Sequence, residues 1–79
     1  MDEPQIYAQL GKIFQDVFDE DAITVTPELS AKDVDGWDSV THIRLMLTVE
    51  RAFKIKFSAP EIGKLANVAD LVTLIKGRA

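Results

Sequence analysis

Gly36-Trp37-Asp38-Ser39-Val40 stands in the middle of a 79-residue chain, where a polar, turn-rich run gives way to a long helical pattern. Asp35-Gly36 is a turn signal, because glycine takes positive φ without steric cost. From Asp38 or Ser39 to about Phe53 the chain reads as one helix. Val40, Ile43, Leu45, Met46, Leu47, Val49 and Phe53 sweep well over half of its circumference. That breadth predicts a central helix packed on several sides. Thr41, Arg44, Thr48 and Arg51 recur at spacings of three, four and three and form one narrow polar stripe. The stripe and the helix N-terminus are then the parts expected to face a partner. His42 and Glu50 fall inside the apolar arc and are expected to find hydrogen-bond partners at its edge.

Upstream, Ile6, Leu10, Ile13, Phe14, Val17 and Phe18 recur at helical spacing and define an amphipathic first helix. Pro4 suits its first turn, and Asp2 and Glu3 complement the positive end of the helix dipole. The stripe stops at Asp19-Glu20-Asp21, which reads as a solvated helix end rather than a cation site. Residues 19–38 form a connection longer than most in a small domain. Within it Thr26-Pro27-Glu28-Leu29 predicts a short helical turn capped by Thr26. Ile23, Val25, Leu29 and Val34 are the expected anchors to the core.

Downstream, Lys54-Ile55-Lys56-Phe57 alternates like a strand but has no partner, so an extended connector with Ile55 and Phe57 turned inward is expected. Ser58-Ala59-Pro60-Glu61 fits the S-x-x-E capping box and predicts about two helical turns through Ile62 and Leu65. Asn67 caps a last helix that puts Val68, Leu71, Val72 and Ile75 on one face, with Gly77 as its expected stop. The fold expected is all-α: a small four-helix bundle of three main helices and one short one, with a long loop between helices 1 and 2. Residues 1–79 are read as a single domain.

Composition narrows the function. There is no cysteine, hence no disulfide framework and no thiolate metal site. The start of the chain is acidic and unlike a signal peptide, and no stretch approaches the roughly 20 apolar residues of a membrane span. A cytoplasmic monomer is expected. Residues 1–38 hold ten acids and two lysines, net −8, whereas residues 39–79 hold three acids and seven bases, net +4. The sign changes at Ser39. With a total of −4, nucleic acid is a poor partner and protein a better one.

The inventory for catalysis is thin: His42 is the only histidine. Ser39 and His42 are helical neighbours, but a hydrolase also needs an orienting carboxylate, an oxyanion hole and a pocket, for which this chain has little room. The quintet shares residues with GDSL-type esterases, yet Trp37 interrupts their motif. No catalytic residue and no metal ligand is assigned. Asp38 and Ser39 are both competent N-caps. If Asp38 caps, Ser39 is left with an exposed hydroxyl beside the positive end of a helix, where a phosphodiester is electrostatically acceptable. The residues leave a capping, a solvated and a modified serine all open.

The quintet, the helix that follows, and Glu50, Phe53 and Phe57 resemble the attachment region of acyl carrier proteins, and the helix order resembles theirs over the whole chain. The family's common Asp-Ser-Leu is Asp-Ser-Val here. The resemblance implies that Ser39 receives 4′-phosphopantetheine from coenzyme A through a separate phosphopantetheinyl transferase. Asp38 would then assist recognition by that transferase. It implies that Val40, Met46 and Ile62 line a cleft sheltering the arm or its acyl group, and that a loading synthetase and pathway enzymes dock on Thr41, Arg44, Thr48 and Arg51. Carriers of fatty-acid synthesis resembling this one show an acidic second helix. Arg44 and Arg51 depart from that and imply a specialised carrier with its own enzyme set. An aminoacyl or peptidyl carrier, and an unmodified helical interaction module, are the alternatives.

Overall fold

The computed structural model describes residues 2–20 and 22–78. Four helices follow one another: α1 (Glu3–Phe18), α2 (Ser39–Phe53), α3 (Ala59–Gly63) and α4 (Val68–Arg78), with a 3₁₀ turn at Ala31–Asp33. This is the all-α bundle of three long helices and one short one that the periodicity predicts. The core is built from Ile6, Leu10 and Phe14 of α1, Leu45, Met46 and Val49 of α2, and Val68, Leu71 and Ile75 of α4, all nearly or wholly inaccessible.

The helix at the centre is α1, which packs against both α2 and α4. The expectation of a central α2 packed on several sides is wrong. Only Leu45, Met46, Val49 and Phe53 of α2 are buried, while Val40, Ile43 and Leu47 are 69, 56 and 50 % exposed. The reason lies in the spacing: residues 45, 46, 49 and 53 form one stripe and 40, 43 and 47 a second on the opposite side, whereas a small bundle offers a single core to bury against.

Local signals explain the helix ends. Asp2 caps α1 in a capping box with Gln5. Asp19 closes that helix in the left-handed region, φ 51°, with its N–H on the Gln15 carbonyl. Glu20 is exposed beside it, and Asp21 of the acidic cluster lies outside the described residues. Lys54 ends α2 in the same way, φ 58°. The connector 55–57 has no regular secondary structure, Ile55 and Phe57 are half-buried, and the Phe57 N–H donates to Glu50 Oε2 at 2.7 Å. Glu50 is thus satisfied at the edge of the apolar arc.

Three boundaries differ from the sequence reading. Thr26–Leu29 is a β-turn closed by Leu29 N–H to Thr26 C=O, not a helical turn. The Pro27 and Leu29 carbonyls instead accept the Ala69 and Val68 amides at 3.0 and 2.9 Å, so the loop satisfies the first turn of α4. The helical element of the loop comes later, where Ser30 and Asp33 form a capping box around Ala31–Asp33. Helix α3 stops at Gly63, because glycine lowers helix propensity and Asp70 draws the Ala66 amide into the cap of α4. Helix α4 continues past Gly77, since Arg78 is held by Glu61 and lies 5.8 Å over the Phe57 ring.

Candidate attachment site at the entrance of helix α2

Gly36, at φ +88°, turns the loop back so that the chain enters α2. Asp38 is extended and caps the helix: its Oδ1 accepts from the Thr41 amide at 2.9 Å and from the Thr41 hydroxyl at 3.0 Å. These two bonds hold the Asp38 carboxyl below its usual range. A carboxylate in that position is therefore ionised throughout the neutral range. With the cap taken by Asp38, Ser39 is the first helical residue, exposed, and its hydroxyl has no partner among the described residues. Of the readings left open by the sequence, the capping serine is excluded.

Trp37 precedes the pair and is half-buried. Its indole meets Phe14 edge-on at 5.4 Å and Phe18 at 5.9 Å. Its Nε1–H donates to His42 Nδ1 at 3.0 Å, and His42 Nε2 lies 3.0 Å from the Ile62 carbonyl of α3. Nδ1 accepts, so Nε2 carries the proton and donates. Both ring nitrogens are engaged with groups other than Ser39, and the Asp38 carboxylate bonds to Thr41 rather than to the imidazole. The Ser-His-Asp reading therefore has no geometric basis here.

Beside Ser39 lies a shallow depression of about 270 Å³ between the entrance of α2 and α3, lined by Trp37, Asp38, His42, Ile62 and Leu65. It brings together Ser39, Asp38 and Ile62. It does not include the other two residues expected to line a cleft: Val40 points to solvent and Met46 is wholly buried in the core.

No family model matches the sequence. Among solved structures, the chain superposes on the solution NMR structure of holo acyl carrier protein from Geobacter metallireducens with a TM-score of 0.85 and 44 % identity, over 91 % of this chain and 83 % of that one. The chain belongs to the acyl carrier protein family. It is accordingly a carrier and not an enzyme.

On this family member the four residues of the polar stripe are unequal. Arg44 and Arg51 are exposed, whereas Thr41 and Thr48 are half-buried with hydroxyls committed to Asp38 and to the Arg44 carbonyl. The side chains that share the outer face with the two arginines are Val40, Ile43 and Leu47. The sequence reading placed these three in the core. Their spacing with Arg44 and Arg51 (40, 43, 44, 47, 51) is itself an outer helical stripe and was the available signal. Among the described residues, no helix is long and apolar enough to cross a membrane.

Proposed function

We propose that Ser39 is the attachment point of 4′-phosphopantetheine, that residues 1–79 act as one carrier domain, and that it serves a specialised pathway in the cytoplasm with its own enzymes. The observation that carries this reading is the unpartnered, exposed Ser39 hydroxyl directly behind the Asp38 cap, in a chain 44 % identical to a holo acyl carrier protein. The residues fit the group. Its phosphodiester falls at a helix N-terminus, where negative charge is favoured, and the neighbouring depression offers Trp37, His42, Ile62 and Leu65 to the start of the arm.

A phosphopantetheinyl transferase is the partner for this step. The Ser39 Oγ–phosphorus bond forms as the P–O–P bond of coenzyme A breaks, 3′,5′-adenosine bisphosphate leaves, and the serine proton passes to the transferase. Asp38 keeps the helix entrance in register and presents its charge beside the hydroxyl. When bound, the group supplies the terminal thiol that this cysteine-free chain lacks, on which an acyl group travels as a thioester. Cargo in fatty-acid, polyketide or related chemistry fits this reading.

The outer face of α2 is the proposed docking surface for the loading synthetase and pathway enzymes. Arg44 and Arg51 supply charge there, with Thr41 and Thr48 at its edge and Val40, Ile43 and Leu47 as its apolar centre. Such a face suits a partner with an apolar patch rimmed by acids, because rim charges govern association rate and partner choice. Incubation with coenzyme A and a broad-specificity transferase tests the anchor by intact mass. Addition of one phosphopantetheine, absent in Ser39→Ala, is expected; no addition with several transferases overturns the reading.

A further inference from the structure

The chain of contacts from Trp37 through His42 to the Ile62 carbonyl links three parts of the fold beside Ser39, and it is not needed for any of the caps. Trp37 is anchored on Phe14 and Phe18 of α1. His42 belongs to α2, and Ile62 to α3. Helix α3 is short: it has five residues, none of them fully buried, with Ile62 packed at the edge of the core. Its Ser58–Glu61 capping box is internal, and among the described residues Glu61 otherwise reaches only Arg78. The bond from His42 Nε2 to the Ile62 carbonyl, at 3.0 Å, therefore ties α3 to α2 directly at the depression beside Ser39.

What lies beneath the imidazole gives the tie its meaning. His42 and Met46 are four residues apart on one helix face, and Met46 is wholly buried, as are Leu45 and Val49. A group entering between α2 and α3 from Ser39 must pass His42 before it reaches apolar surroundings. A long alkyl chain cannot replace either of the hydrogen bonds it would break, leaving an indole N–H and a carbonyl without partners. A short or polar group can stay in the depression and leave both bonds intact.

We infer that Trp37 and His42 form a clasp that closes the α2–α3 crevice at Ser39 and makes this a carrier of short or polar groups rather than long alkyl chains. His42 is a specificity-determining residue on this view. The inference rests on Ser39 as the anchor. The clasp itself is testable on the unmodified chain.

Two variants separate the bonds from the packing. His42→Leu removes both hydrogen bonds, and Trp37→Phe removes one while keeping a ring against Phe14 and Phe18. Amide exchange on the unmodified proteins is expected to rise at residues 62–65 by about fivefold for each bond removed, with the amides of α1 unchanged. Exchange at 62–65 equal to wild type in both variants refutes the clasp, whatever the fate of Ser39. The chain is then loaded from acetyl- and octanoyl-coenzyme A by a broad-specificity transferase, loading is verified by mass, and the thioesters are challenged with hydroxylamine. Wild type is expected to lose both acyl groups at one rate. His42→Leu is expected to protect octanoyl about fivefold while leaving acetyl as labile as before. A general loosening would not discriminate by chain length. An octanoyl group already protected in wild type, or equal lability of both groups in both variants, overturns the cargo inference. Failure of loading at the mass step counts against Ser39 as anchor instead, and leaves the exchange result to decide the clasp.

Discussion

Asp38 and Ser39 are adjacent and do different work. The carboxylate is spent on Thr41, and because it is, the hydroxyl is free. Ser39→Ala should thus leave thermal stability within about 0.5 kcal/mol of wild type while abolishing modification, since it removes no contact the fold uses. Asp38 has a pH signature. Its native carboxyl is held below the ordinary value of 3.8, chiefly by the Thr41 amide. The stabilisation is complete above that value and is lost as pH falls through the lowered native one. Asn caps as well as Asp but does not titrate. Asp38→Asn is therefore expected to match wild type in denaturant midpoint at neutral pH and to show a shallower loss on acidification. Parallel acid limbs for the two proteins would show that the cap is not the source.

At the scale of elements, α2 is a helix with two apolar stripes, and only one of them is in the core. Ile43→Asp on the outer stripe should change folding stability by no more than about 0.5 kcal/mol, yet suppress loading by the pathway's own synthetase. Arg44→Glu should slow that loading at low salt, with the difference shrinking as salt screens it; unchanged kinetics at low salt would point the docking face elsewhere. The end of α2 offers a different test. Lys54 sits at φ 58°, a conformation that disfavours a side chain and suits glycine. Lys54→Gly is expected to raise stability by about 0.5–1 kcal/mol in chemical denaturation. Much of this element structure is legible in the chain: the stripe of α1, the span of α2, the Ser58 and Asn67 caps and the turn at Gly36 all follow from local chemistry. What is not legible is competition for backbone groups across the fold. Nothing local tells that the Pro27 and Leu29 carbonyls will serve α4, or that Arg78 will find Glu61 and Phe57 and carry α4 past Gly77. The site divides in the same way: the exposed Ser39 follows from the cap rule, but the Trp37–His42–Ile62 contacts join residues up to 20 positions apart.

For the molecule as a whole, one small core carries the fold. Leu45 and Phe14 are completely inaccessible, and truncating either to alanine should cost about 3–5 kcal/mol. In a chain of 79 residues that approaches the entire folding free energy, so both variants are expected to show broadened or absent thermal transitions by circular dichroism. Charge is distributed on the same scale. The acidic half of the sequence ends at Asp38 and the basic half begins with α2, so a partner can approach the outer face of α2 by one sign of potential.

The chain contains a single tryptophan, and its ring lies against an imidazole next to the residue proposed to be modified. Its emission is consequently a signal from one known place. Attachment at Ser39, the seating of cargo in the depression beside it, or the seating of an enzyme on the entrance of α2 would each change the surroundings of that indole. The protein thus carries its own optical reporter, and its traffic with other enzymes can be followed in real time without a label.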